Sequence, residues 1–288
     1  MGGAARLVID SADPSQHERT VLGVENLLKQ LERRYSRYDP TSLVSLINAR
    51  AGSGEATELD TEAETLFDLA GQLWEASDGL FDITSGVLRR CWDFRMGSIA
   101  DPERIEALLP LVGWQHVVRL GNTIRLPVAG MEIDLGGLVK EYAADAALQY
   151  LRDCNIGSAM IELAGDVATL GRQVSGDPWQ IAIQAPDGGP PIRAISLVDA
   201  AVATSGDYAR RITHNGHTYG HFLDPMTGWP VSGPSSVTVI DQHCLTAGAV
   251  ATIACLKAGL ADHWLNASGL PWLMIDAQGK ASGPILED

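Results

Sequence analysis

Apolar residues recur at helical spacing through the first half of the chain. Val21, Val24, Leu28, Leu31 and Tyr35 fall on one face of a helix predicted over 16–35, with charged residues between them. A loop follows, Ser36-Arg37-Tyr38-Asp39-Pro40-Thr41-Ser42, then a short apolar segment to Asn48 and a polar, Gly-rich stretch over 49–60. Leu66, Ala70 and Leu73 form the stripe of a second helix, with Thr61 and Glu64 as a capping box and Asp78-Gly79 as its stop. Asp101-Pro102-Glu103 opens a third helix, with Pro at its first position. A fourth is predicted over 137–151, ending before Asn155-Ile156-Gly157. The second half changes texture. Strands are predicted over 158–163, 179–185, 194–198, 218–222, 236–240 and 272–275, interrupted by helices over 245–258 and 259–268. Strands and helices without regular βαβ alternation argue for an α+β fold, not a doubly wound sheet. There is no repeat, low-complexity tract or long linker, so 1–288 reads as one bilobed unit.

Composition narrows the function. With 288 residues, 45% of them hydrophobic, the chain can bury a large core without a disulfide or metal staple. Its 21 Lys and Arg against 36 Asp and Glu leave a net charge of −15. That balance disfavours nonspecific nucleic-acid binding and adsorption to anionic membranes. A phosphate-bearing ligand would need local help from a helix N-terminus, a few lysines or a divalent cation. Cys91, Cys154, Cys244 and Cys255 form no CxxC or zinc-like spacing and read as free thiols. No apolar run reaches the roughly 18 residues of a membrane span. The opening Met1-Gly2-Gly3-Ala4-Ala5-Arg6-Leu7-Val8-Ile9 lacks a basic start and a long apolar stretch. The expectation is a cytoplasmic protein as the chain stands, or a periplasmic one if an export signal has been removed.

Several segments have the residue types of a ligand site. In Asp134-Leu135-Gly136-Gly137-Leu138-Val139-Lys140, an acid and two glycines precede a helix. Glycines allow close backbone approach, and free N–H groups at a helix start attract anions. An ordinary strand-to-helix turn would look the same. His221-Phe222-Leu223-Asp224-Pro225-Met226-Thr227-Gly228 puts a His near the end of a strand, followed by a rigid turn. Such a His can act as general base or be merely structural. Ala203-Thr204-Ser205-Gly206-Asp207-Tyr208 sits after a predicted strand, Glu162-Leu163-Ala164-Gly165-Asp166 at another strand's end, and Phe81-Asp82-Ile83-Thr84-Ser85-Gly86 precedes Trp92-Asp93-Phe94. Each is weak alone. Their shared placement at element ends fits loops converging on one pocket.

In order, these segments resemble the FAD:protein FMN transferase (ApbE-like) family over nearly the whole chain. Met1-Gly2-Gly3 resembles its Met-Gly-Thr start, and Ser36-Arg37-Tyr38 its Ser-Thr-Tyr. The segments beginning at Phe81, Asp134, Ala203 and His221 resemble four further signatures. The resemblance implies a T-fold-related α+β unit with a mixed sheet and flanking helices. It implies FAD as ligand, a bound Mg²⁺, and transfer of FMN to a Thr or Ser hydroxyl of an acceptor protein with release of AMP. The partners implied are FAD and that acceptor, with no nucleic acid, and a membrane only indirectly through the acceptor. Carried over residue by residue, Met1, Tyr38, Leu80, Phe81, Asp82, Asp134, Lys140 and Leu223 would contact FAD. His221 would be the base, and Gly137 would offer its carbonyl to the metal. No convincing acceptor sequence occurs in the chain itself, so self-flavinylation is not expected.

One departure bears on activity. The family's Ala-Asp-Ala-Leu-Ala-Thr run, whose Asp and Thr bind the metal, corresponds here to Ala247-Gly248-Ala249-Val250-Ala251-Thr252. The metal positions are then Gly137, Thr252 and Gly248, and the last brings no carboxylate although Mg²⁺ normally takes at least one. Asp166, Asp207 or Asp241 are the replacements this reading considers, and restoring an Asp at 248 is expected to tighten Mg²⁺ binding. Two alternatives follow from the same Gly248: a noncatalytic FAD-binding protein, or an FAD pyrophosphatase.

Overall fold

A computed structural model describes residues 3–11, 17–94, 96–207, 211–214 and 217–287. In chain order, β1 (Ala5–Ile9) precedes α1 (Glu18–Tyr35), α2 (Leu43–Ala49), the short β2 (Thr57–Glu58) and α3 (Thr61–Ala76). Then come α4 (Pro102–Leu108), β3 (Val118–Leu120), β4 (Thr123–Arg125) and α5 (Val139–Asp153). A run of strands follows: β5 (Ala159–Leu163), β6 (Asp166–Leu170), β7 (Trp179–Ile183), β8 (Arg193–Leu197), β9 (Ala201–Gly206), β10 (Arg211–His214), β11 (His217–Gly220) and β12 (Ser236–Asp241). Last are α6 (Cys244–Leu256), α7 (Ala261–Ser268), β13 (Trp272–Ile275) and β14 (Ala281–Ser282). No described helix is long and apolar enough to cross a membrane.

The α+β class holds, but the sheet is not mixed as expected. Seven strands lie in the order β1-β5-β6-β9-β12-β13-β14, and every neighbouring pair is antiparallel. The β5–β6 connection shows why. Ala164 and Gly165 both have positive φ, 52° and 97°, the two-residue turn whose twist suits an antiparallel hairpin. The turn places Asp166 at the first position of β6. β9 runs back beside β6 and β12, so its Thr204-Ser205-Gly206 end lies at that same edge of the sheet.

Side chains alternate across the sheet with period two. Ile161, Ala168, Ala203 and Val239 join the large core with α5 and α6, and that core continues into α1, α2 and α3. Met160, Val167 and Val202 face the other way, against Trp179 and Leu197 of the β7–β8 ribbon. α6 is apolar on nearly every side and buried accordingly. Its own N-terminal residue gives no side-chain cap. Asp145 of α5 supplies it, accepting from Cys244 N at 2.8 Å and Leu245 N at 2.9 Å.

Helix boundaries shift by one or two residues from the sequence expectation, and at two helix starts the cause is visible. The cap of α3 is Asp60, accepting from Ala63 N at 3.0 Å, and Thr61 is the first helical residue. A carboxylate there satisfies the same donor and also favours the positive helix end. α5 starts at Val139, two residues later than expected, because Gly136–Leu138 form a turn that leads into it.

Candidate active site

The segments singled out in the sequence meet in one cavity of about 680 Å³, except Trp92-Asp93-Phe94, whose Trp92 packs against Tyr219 and Trp229 instead. It is walled by the 80–86 segment, the turn before α5, the end of β9, residues 221–223 and Thr252 of α6. Of the expected flavin contacts, Tyr38, Leu80, Phe81, Asp82, Asp134, Lys140 and Leu223 all line it. Met1 lies outside the described residues. The aromatic walls differ: Phe81 is buried beside Gly137, whereas Tyr38 is 78% exposed with the Arg37 guanidinium over its ring. A flat, exposed ring at a cavity mouth is free to stack on a planar ligand.

The acidic residues differ in what they hold. Asp82 caps the 3₁₀ segment Ile83–Arg90 and accepts from Thr84 N (2.7 Å), Thr84 Oγ1 (2.6 Å) and Trp114 N (2.8 Å). It therefore shapes the wall through internal bonds. Asp134 accepts from Gly136 N at 2.8 Å and from Arg37 Nη1 at 3.1 Å, with Arg89 3.8 Å away. Gly86 permits this, because a Cβ there would stand 2.6 Å from that of Asp134. Arg37 and Arg89 were not expected at the site, since they lie beside the matched motif positions rather than on them.

Lys140, on the first turn of α5, pairs with the buried Asp166 and lies 2.9 Å from Glu141 Oε1. Asp166 also accepts from Thr204 N at 2.9 Å, which fixes the end of β9. Thr252 Oγ1 and Ser205 Oγ share a hydrogen bond of 2.8 Å. Cys255 beneath them is fully buried, and burial pushes its thiol far up, so it is an inert core residue.

β11 ends at Gly220, which leaves His221 just past the strand and in the cavity wall. Its backbone N donates to Asp207 Oδ1 at 3.2 Å, and its Nδ1 lies 3.3 Å from the same oxygen. That nitrogen is buried and off hydrogen-bond geometry. Asp207 comes this close only because residue 220 is glycine; a Cβ added there would collide with the carboxylate.

Gly248 is not where a metal ligand was expected to be open to the cavity. It is buried under Glu141: a Cβ built on it would stand 2.5 Å from Glu141 Cγ and 3.1 Å from its Cδ. Of the considered replacements, Asp166 is held by Lys140 and Thr204, Asp207 by His221, and Asp241 accepts from His243 N at 2.9 Å at the far end of β12. Glu141 was missed by the sequence reading. Among the described residues no three His, Cys, Asp or Glu side chains converge as a metal cluster. A cation in the cavity would therefore share its shell with hydroxyl, carbonyl and ligand oxygens.

The ApbE family profile matches residues 1–270. The chain belongs to the ApbE family. An FAD:protein FMN transferase of Vibrio cholerae is 31% identical over 236 residues, covering 80% of this chain and 70% of that protein. One of Treponema pallidum is 30% identical over 281 residues, covering 90% and 77%. Among solved structures, the ApbE protein of Thermotoga maritima superposes with a TM-score of 0.89 at 31% identity, covering 98% of this chain and 94% of that one. The flavin transferase ApbE of Vibrio cholerae gives 0.88 at 28% identity, with the same coverage. The α+β architecture described above is thus the ApbE fold.

Proposed function

We propose that this ApbE-family chain transfers the FMN moiety of FAD to a Thr or Ser hydroxyl of an acceptor protein, releasing AMP. The observation that carries this reading is the Asp207 carboxylate, 3.3 Å from Nδ1 of His221, which lines the same cavity as Lys140 and the start of α5. The positive end of α5 suits a diphosphate. The hydroxyl oxygen would attack the FMN-side phosphorus, forming a phosphoester, while the bond to AMP breaks. With Nδ1 turned to Asp207, the His221 Nε2 is the atom left to take the hydroxyl proton, and Asp207 would stabilise the imidazolium. A protein that only holds FAD has no use for such a pair.

The cavity also fits Mg²⁺. Thr252 and Gly137 at its wall bring a hydroxyl and a carbonyl, both hard oxygen donors, and Glu141, which also lines it, has a buried carboxylate oxygen, Oε2, with no hydrogen-bond partner. A bound Mg²⁺ would neutralise charge on the diphosphate. The test is incubation with FAD, MgCl₂ and an acceptor protein, followed by mass spectrometry. The expected result is an FMN adduct on an acceptor Thr or Ser and one AMP per adduct. Free FMN and AMP without adduct would replace the reading by FAD hydrolysis, and FAD binding without turnover by a noncatalytic role.

A further inference from the structure

Position 248 lacks the carboxylate of the ApbE pattern, yet a carboxylate occupies its space. We propose that Glu141 of α5 supplies the cation ligand that residue 248 does not, an inference resting on the flavin-transfer reading above. Three observations carry it. The first is steric. The side chain of Glu141 fills the volume that a side chain at 248 would take, 2.5 Å from where its Cβ would be. One carboxylate is therefore kept between α5 and α6, delivered from the opposite helix. The second is register. Asp145 meets the start of α6 at Cys244 and Leu245, and Glu141, one turn back, meets Gly248, one turn on. Farther along in the same directions, Gly137 in the turn before α5 and Thr252 of α6 line the cavity together with Glu141.

The third is an unmet partner. Glu141 is 6% exposed, its Oε1 lies 2.9 Å from Lys140 Nζ, and its Oε2 is buried without a hydrogen bond. A buried carboxylate oxygen left without a hydrogen-bond partner is costly. A hard cation shared with Thr252 and the Gly137 carbonyl would supply that partner. This also explains why glycine, an unfavourable residue inside a helix, stands at 248. An Asp added there alone would collide with Glu141, so the single change Gly248→Asp is not expected to rebuild the site.

The experiment is titration of Mn²⁺ into the FAD-loaded protein, followed by electron paramagnetic resonance, with FAD affinity measured separately in EDTA. Glu141→Gln keeps the shape and removes the charge, so it should weaken Mn²⁺ at least about tenfold and leave FAD affinity in EDTA within roughly twofold. Gly248→Asp alone should lower the melting temperature without tightening Mn²⁺. The exchanged pair Glu141→Gly with Gly248→Asp should recover the parent's Mn²⁺ affinity to within about threefold. Unchanged Mn²⁺ affinity in Glu141→Gln overturns the proposal and leaves Glu141 as the ion-pair partner of Lys140 alone. So does failure of the exchanged pair to recover affinity while melting like the parent. In both cases FAD binding by the parent leaves the flavin reading standing. A parent that binds no FAD overturns both.

Discussion

His221 depends on its neighbours for its orientation. The Asp207 carboxylate holds its backbone N and faces its Nδ1, and Gly220 makes room for that carboxylate. His221→Ala should lower the transfer rate about 10²–10⁴-fold, while FAD affinity by fluorescence titration stays at the parent's value. Proportional loss of both would make the imidazole a binding contact. Asp207→Asn should lower kcat by about tenfold or more with KM for FAD unchanged, because it acts only through the imidazole. His221 was legible in the sequence, since a strand end, a His and a rigid turn occur together there. Glu141 was not. Lys140-Glu141 at a helix start looks like a solvated charge pair, and only the packing of α5 on α6 turns the Glu inward. The missing Cβ of Gly248 was read as a lost ligand because its partner lies 107 positions away in the chain (248 − 141), on another helix.

The α5–α6 pair is the element that joins sheet and site, and Asp145 fixes its register. Asp145→Ala removes the cap of α6 and should destabilise the protein by about 1–2 kcal/mol, read by urea denaturation. Burial holds the Asp145 carboxyl above its ordinary value of 3.8, and the two backbone donors pull it down less strongly. The unfolded chain therefore loses this proton first. The group's stabilising contribution is full below pH 3.8 and falls as pH rises through the raised value. Asp145→Asn never ionises, so it should remove that decline from a stability–pH profile; a superimposable profile would count against the assignment. The sequence disclosed these helices better than the strands beside them. β6 (Asp-Val-Ala-Thr-Leu) and β9 (Ala-Val-Ala-Thr-Ser-Gly) are central, yet each has one Val and one Thr among small or polar residues and no aromatic, which makes a weak strand signal. Those residues are small because α6 packs closely over β9. The Ala203–Asp207 motif accordingly runs along β9 to its end, where it was expected to follow a strand.

Across the whole molecule, charge sets the conditions for binding. The chain carries −15, so its field repels the FAD diphosphate. The basic side chains lining the cavity do little to reverse this, because each is already matched: Arg37 and Arg89 by Asp134, Lys140 by Asp166 and Glu141. What remains for the diphosphate is the N-terminus of α5 and whatever cation the cavity takes up. FAD affinity should therefore weaken by about tenfold or more in EDTA and return with Mg²⁺. Salt separates this account from its rival. A site that binds phosphate through free lysines and arginines loses affinity as salt screens the attraction. Here, in EDTA, the dominant long-range term is repulsion, so raising NaCl from about 20 to about 300 mM should leave FAD affinity unchanged or improve it. Flavin fluorescence titrations at both salt concentrations, with and without MgCl₂, measure the two effects together. Equal affinity in EDTA and Mg²⁺, with a steep loss on adding salt, would mean that the chain's own cations suffice and that the pairs at Asp134 and Asp166 open when FAD enters.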